Sequence, residues 1–498
     1  MGARCFPATS RAAVLACLVL ALYEAMFFQR IKTPGIAHNA YLVGDKEQAI
    51  LVDPRRDIEE YLKVARENEI IIKYVLETHR QEDFVIGSKA VAERTDAKIV
   101  SLDHDLFGHS DIRLKDGEKL TAGGLVVQAL HTPGHTPEST CYALFLEQIP
   151  DRAWAVLTGD TLFIGETGRT DLTDPKKTRE HAGILFDVIH AKLLPLGDQT
   201  LLWPAHGSGS VCGGNIAERD ESTLGLERSC NPVFTKSRAE FIEAKLRERI
   251  PRPPYFTLME KVNLKGGIPI AKRPDAIPLL LAKKFASEIK QGIVLDGRDP
   301  EAFAGGHIPG SYGMWLEGMA IFGGWLANQT TPVFLVLDEI KQLETAVLSL
   351  ARLGVDGVAG VLAGGFDAWR DAGQPIAYSG TIAPRELAAS RADYVVLDVR
   401  DDTEFEDEGH IQGARHLYVG YVEDHIGRLK AKLGKAPVAV VCSVGHRAGL
   451  AASILRRHGY DDVKNLLGGM TAWEKLELET AKGNEHSITT PDIEGKRE

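Results

Sequence analysis

Three short motifs in the second half of the chain occur twice, in the same order and almost the same distance apart. Val294-Leu295-Asp296-Gly297-Arg298-Asp299 is echoed by Val396-Leu397-Asp398-Val399-Arg400-Asp401. Gly306-His307-Ile308-Pro309-Gly310 is echoed by Gly409-His410-Ile411-Gln412-Gly413, and Gly364-Gly365-Phe366-Asp367-Ala368-Trp369 by Gly468-Gly469-Met470-Thr471-Ala472-Trp473. The offsets are 102, 103 and 104 residues. A spacing near 100 residues is that of a whole domain, far longer than a solenoid repeat. Two tandem copies of one unit must therefore fill the C-terminal part. A chain of 498 residues has room for about three domains in all.

Composition narrows the classes of partner. Lys+Arg 58 against Asp+Glu 69 leaves a formal charge of −11, so no basic surplus exists to neutralise phosphates and nucleic acid is excluded as the main partner. Cys5, Cys17, Cys141, Cys212, Cys230 and Cys442 are scattered, with no CxxC pair. That excludes a disulfide scaffold and a zinc ribbon, and it points to a reducing, cytoplasmic setting. Residues 1–25 are an N-terminal extension or a signal-like segment. The apolar run Ala12–Leu22 follows Arg4 and Arg11 but is short for a transmembrane span. Tyr23-Glu24-Ala25 makes a poor cleavage site, and Val14-Leu15-Ala16-Cys17 is a marginal lipoprotein box. Export or membrane tethering through this segment is the alternative to a cytoplasmic protein, and translation from Met26 would dispense with it.

From Met26 to Glu240 short apolar runs alternate with polar helical stretches. Tyr41–Val43, Ala49–Val52, Ile71–Leu76 and Ala155–Leu157 read as strands, and Ile58–Glu69 and Val85–Arg94 have helical spacing. Four motifs follow apolar runs: Glu77-Thr78-His79-Arg80-Gln81-Glu82-Asp83-Phe84, His131-Thr132-Pro133-Gly134-His135, Thr158-Gly159-Asp160-Thr161 and Pro204-Ala205-His206-Gly207. Each puts an imidazole or carboxylate at a strand end, where open α/β architectures collect functional groups.

With these motifs the first half resembles the metallo-β-lactamase superfamily, which implies an αββα sandwich with a metal site at one edge. The family's first motif is usually T-H-x-H-x-D-H. Here Gln81 and Phe84 stand where two of its histidines are expected. Phe84 cannot coordinate a metal and Gln81 is a poor neutral ligand, so a two-zinc hydrolytic site is crippled in its second position. His79, His135 and Asp160 remain, two imidazoles and a carboxylate, the donor set of a non-haem Fe(II) site. The resemblance extends to one branch, the persulfide dioxygenases, whose single iron is held by residues matching these three. That implies one Fe(II) per chain, with zinc as the alternative. It also implies oxidation of a thiol persulfide, such as glutathione persulfide, to sulfite. On the same resemblance Asp83 and His206 orient ligands or water, and Thr161–Asp171 matches the branch's stretch after the metal aspartate. Arg169 would then receive the thiol carrier's carboxylate, with Thr170 beside it.

In the second copy, Cys442-Ser443-Val444-Gly445-His446-Arg447 joins a strand (Val438–Val441) to a helix (Ala448–His458). Strand, cysteine loop and helix N-terminus make an anion cradle of inward N–H groups, and Arg447 adds positive charge. Such a setting suits a nucleophilic cysteine. These residues, with the DxR, GHI and GG motifs, resemble the rhodanese family, whose six-residue loop is sized for a sulfur atom. The resemblance implies that Cys442 carries a sulfane sulfur, while Ser443, His446 and Arg447 tune donor and acceptor recognition. The partners would be persulfides, thiosulfate or sulfite, and acceptor thiols, in a homo-oligomer. In the first copy the loop position reads Asp338-Glu339-Ile340-Lys341, which cannot carry sulfur and repels anions. Asp296, Arg298 and His307 fall on rhodanese framework positions.

The expected fold class is α/β: an αββα metallo-β-lactamase sandwich followed by two α/β rhodanese domains. The expected bounds are 26–248 for the sandwich, 249–275 for a Pro-rich linker, 276–378 for an inactive and 379–480 for an active rhodanese domain, and 481–498 for a polar tail. Two other functions stay open: a metal-dependent thioester hydrolase of glyoxalase II type, and a sulfurtransferase or scaffold with a vestigial metal domain.

Overall fold

The computed structural model describes residues 26–484 and Ile488, so the apolar run Ala12–Leu22 and most of the expected tail lie outside the described residues. Among the described residues no helix is long and apolar enough to cross a membrane.

The first domain is built on strands β1 (Phe27–Thr33), β2 (His38–Gly44), β3 (Gln48–Val52), β4 (Ile71–Leu76), β5 (Lys98–Leu102), β6 (Ile112–Leu114), β7 (Lys119–Ala122), β8 (Leu125–His131), β9 (Thr140–Leu146), β10 (Ile149–Gly159) and β11 (Leu201–Pro204). One sheet has the order β1-β2-β3-β4-β5-β6 and the other β11-β10-β9-β8-β7. Side chains alternate across a strand. In β2, Tyr41 and Val43 therefore face Tyr142, Leu144, Leu157 and Trp203 of the other sheet, while Ala40 and Leu42 face Tyr61 and Leu62 on helix Glu59–Glu67. On the far side Cys141, Ala143 and Val156 pack on Leu185 of helix Thr178–Val188 and Phe241 of helix Arg238–Arg247. Helix, sheet, sheet, helix is the expected αββα sandwich.

The second half holds two parallel five-stranded sheets of the same order. In the first it runs Leu279–Leu280, Val358–Leu362, Val333–Val336, Ile293–Asp296, Tyr312–Gly313. In the second it runs Gly380–Ile382, Val463–Leu466, Val438–Val441, Val395–Asp398, Arg415–His416. The repeated motifs are one set of internal clamps made twice. Arg298 Nη2 bridges Asp296 and the Gly306 carbonyl, as Arg400 Nη2 bridges Asp398 and the Gly409 carbonyl. His307 stacks on Phe303 at 3.9 Å and bonds its carbonyl, and His410 does the same with Phe405 at 3.8 Å. Gly469 has φ 55°, and a Cβ there would stand 2.1 Å from the Cys442 carbonyl oxygen. Only glycine permits that approach, and Gly365 serves the same turn against Leu337.

The segment between the halves carries helix Phe256–Asn263. This helix docks on the first histidine motif. Asn263 Nδ2 donates to the carbonyls of Gln81 (2.7 Å) and Phe84 (2.8 Å), and its Oδ1 accepts from Ile86 N. Val85 N donates to the carbonyl of Arg352 in the first rhodanese copy, and Arg352 pairs with Asp57 at 2.6 Å. These claims on the backbone explain why the helix expected from Val85 begins at Ser88. Phe84, fully buried, joins an apolar cluster with Tyr255, Met259, Met319, Phe322 and Leu350. Phe84→Ala is expected to destabilise the protein by about 3–5 kcal/mol, read as a lower denaturant midpoint; an unchanged midpoint would remove Phe84 from this docking role.

Candidate functional site

The four motifs of the first domain meet at one edge of the sandwich. His79 follows β4, His135 lies between β8 and β9, Asp160 follows β10 and His206 follows β11. Gly159, with φ 52°, turns the chain into Asp160 so close to the first motif that a Cβ would lie 2.6 Å from Thr78 Oγ1.

Each ligand-type side chain is oriented by a partner on its far side. His135 Nδ1 meets the Arg169 carbonyl at 2.9 Å. His79 Nδ1 lies 3.0 Å from Thr78 Oγ1, whose hydroxyl donates to Asp53 at 2.6 Å. Both partners assign the proton to Nδ1 and leave the Nε2 lone pairs facing inward. Asp160 Oδ1 accepts from His206 Nδ1 at 2.7 Å, while its Oδ2 stands 3.6 Å from His79 Nε2 and 3.4 Å from His135 Nε2. These three inward atoms are buried without a hydrogen-bond partner and lie within 4.8 Å of one another. Buried polar atoms are almost always paired, so three converging orphans of this donor set fit a single metal ion. Burial lowers the His79 imidazole to about 4, which keeps it in the neutral, ligating form. Burial alone would raise the Asp160 carboxyl, but His206 beside it holds it far below the usual range.

Around a second metal position the arrangement differs. His206 Nε2 bonds Asp83 Oδ2 at 2.9 Å, so both ring nitrogens are taken by carboxylates. Despite burial, Asp160 and Asp83 raise His206 well above the usual imidazole range. Its ring lies between two carboxylates. Cys212 completes a group with Asp83 and His206, and burial, then the charges of Asp83 and Asp160, push its thiol well above the ordinary value. Hydrogen bonds occupy both His206 nitrogens of that group. The Phe84 ring lies 4.3 Å from that of His38 and 6.5 Å from that of His206. Gln81 turns its amide to the Nδ1 side of His79, away from the inward atoms.

Arg169 stands apart from the expectation set for it. Its guanidinium is 1% exposed, and its donors go to Asp171 and to the carbonyls of Val211, Ile250 and Pro251. A thiol carrier's carboxylate finds no free donor there, because the guanidinium ties the cysteine-bearing loop to the linker. Thr170 is buried nearby, its hydroxyl unpartnered, at a cleft with Lys245 and Glu248. Two neighbours were missed in the sequence. Cys212 reads there as an inert thiol, and Glu82 sits at a variable motif position, with only its acidity inside a metal motif as a signal.

In the second rhodanese copy Cys442 is 1% exposed, and Gly445 N donates to its Sγ at 3.0 Å. Arg447 reaches both oxygens of Glu404 at 2.6 Å, and Ser443 Oγ donates to Glu404 at 2.6 Å. Burial would raise Glu404, but Arg447 holds it well below the carboxylate range. His446 stacks on Trp315 of the first copy, centroids 5.1 Å apart. The loop opens on a cleft of about 510 Å³ whose walls come from all three domains, including Ser208–Val211, Trp315 and Tyr418. In the first copy the same position is Asp338-Glu339, where Glu339 caps a helical turn instead of forming a cradle.

Residues 33–206 match the family model of the metallo-beta-lactamase superfamily, and residues 281–372 and 383–476 match that of the rhodanese-like domain. The human mitochondrial persulfide dioxygenase ETHE1 is 26% identical over 237 residues, covering 46% of this chain and 84% of that protein. Hydroxyacylglutathione hydrolase GloC of Haemophilus influenzae is 28% identical over 231 residues, covering 42% of this chain and 98% of that protein. The crystal structure of a metallo-beta-lactamase from Staphylococcus aureus superposes with a TM-score of 0.61 at 28% identity, covering 68% of this chain and 98% of that one.

Proposed function

From a chain that joins a metallo-β-lactamase-fold domain, with persulfide dioxygenase homologues, to two C-terminal rhodanese-like domains, we propose an enzyme that oxidises a low-molecular-weight thiol persulfide to sulfite and transfers sulfane sulfur through Cys442. The observation that carries the oxidative half is the trio of orphaned inward atoms on His79, His135 and Asp160. Two imidazoles and a carboxylate are the donors of non-haem Fe(II), which when bound supplies open positions that bring dioxygen and a sulfur ligand together. The chain's own groups do the rest. Thr78 and the Arg169 carbonyl fix the two imidazoles, and His206 fixes Asp160. Burial of all three side chains excludes bulk water. In the overall reaction a persulfide, dioxygen and water give thiol, sulfite and two protons. The S–S bond breaks, and the outer sulfur gives four electrons to dioxygen.

At the rhodanese site the Cys442 sulfur attacks the outer sulfur of a persulfide. The S–S bond breaks and the carrier leaves as its thiolate. Sulfite or an acceptor thiol then takes the sulfur from Cys442; with sulfite the product is thiosulfate. A thioester hydrolase of the GloC kind is the second reading. Phe84 and the closed Asp83–His206–Cys212 group weigh against it, because that reading needs a second metal. Protein purified anaerobically with ferrous iron is expected to hold one ion per chain, to consume oxygen when given glutathione persulfide and to release sulfite. No bound iron and no oxygen uptake would reject the oxidative half, and two zinc ions with thioester cleavage would favour the hydrolase.

A further inference from the structure

The three donors do not account for every inward atom. Glu82 is 0% exposed, and its Oε1 accepts from Arg80 Nε at 2.9 Å. Its Oε2 is buried with no hydrogen-bond partner. That oxygen stands 3.6 Å from His135 Nε2 and 3.9 Å from His79 Nε2, the same two atoms that Asp160 Oδ2 approaches from 3.4 and 3.6 Å. Two donors at about 2.1 Å from one ion lie about 3 to 4 Å apart, so Glu82 is at ligand spacing from both imidazoles. Arg80 pairs with only one of its two oxygens. Arg80 is shared with Glu138 at 3.8 Å and Glu260 at 3.9 Å, and a buried carboxylate oxygen without a partner is costly. The backbone explains the aim. Gln81 takes a left-handed φ of 47° and has its carbonyl held by Asn263, a turn that swings the next residue inward.

We propose that Glu82 is a fourth protein ligand, so that the ion sits among two imidazoles and two carboxylates. This rests on the single-metal reading above and deepens it. Two carboxylates balance the charge of a divalent ion in a buried site, and the added donor tightens binding while occupying a position otherwise open. The test titrates anaerobic apo-protein with Co(II) as a spectroscopic probe. Glu82→Gln keeps the oxygen that Arg80 bonds and is expected to weaken Co(II) binding at least about 10-fold and to change the intensity of its visible bands. Glu138→Gln, a second buried carboxylate beside Arg80, is the control and is expected to leave both unchanged. A thermal melt of each apo-variant checks the fold. Wild-type protein binding one ion, with Glu82→Gln matching it in affinity and spectrum, overturns the proposal. Wild-type protein that takes up no ion overturns the single-metal reading, and this one with it.

Discussion

Cys442→Ser is expected to reduce thiocyanate formation from a sulfur donor and cyanide to background, a fall of at least about 10³-fold. A serine oxygen fits the same 1% exposed position and still receives the Gly445 N–H, so the fold and melting temperature should hold. It cannot accept and return a sulfane sulfur. Mass spectrometry of wild-type protein treated with persulfide should show one added sulfur on the peptide containing Cys442, and none on that peptide in the variant. Unaltered sulfur transfer would mean that another thiol does the work. Cys212 is the control, since its thiol is fully buried and pushed up by that burial. Oxygen uptake in the first domain should survive Cys442→Ser.

The converse variant is Asp160→Asn. An asparagine carbonyl can still accept from His206 Nδ1, as Asp160 Oδ1 does at 2.7 Å. The other atom becomes an amide nitrogen, which does not ligate, and the negative charge is gone. Metal affinity should fall at least about 100-fold, and oxygen uptake with glutathione persulfide should fall with it. Thiocyanate formation at Cys442 should remain at the wild-type level, because the two sites share no residue. A variant that keeps stoichiometric iron would remove Asp160 from the coordination sphere.

What was legible in the sequence follows from the range of the contacts involved. The repeat could be read because its motifs are local clamps: Asp398 with Arg400, His410 on Phe405, Gly469 against Cys442. His79, His135 and Asp160 could be read because each sits in a short motif at a strand end, and strand ends of one sandwich edge converge. The resemblance to known families did much of the rest. Three features could not be read. Glu82 turns inward only because Gln81 adopts a left-handed backbone held by Asn263, far along the chain. Arg169 looks like a free guanidinium until the carbonyls of Ile250 and Pro251 are placed on it. Phe84 reads as a lost ligand, and only the fold reveals what it gained.

That packing has a consequence for mutation. Phe84→His alone would place a polar ring in the seam with Tyr255, Met259 and Met319, and it would still face a His206 whose nitrogens are both committed. Each single change toward a binuclear centre thus passes through a less stable protein. Because the C-terminal half packs on the first histidine motif, a single mutation toward a second metal position there disturbs the seam between the domains.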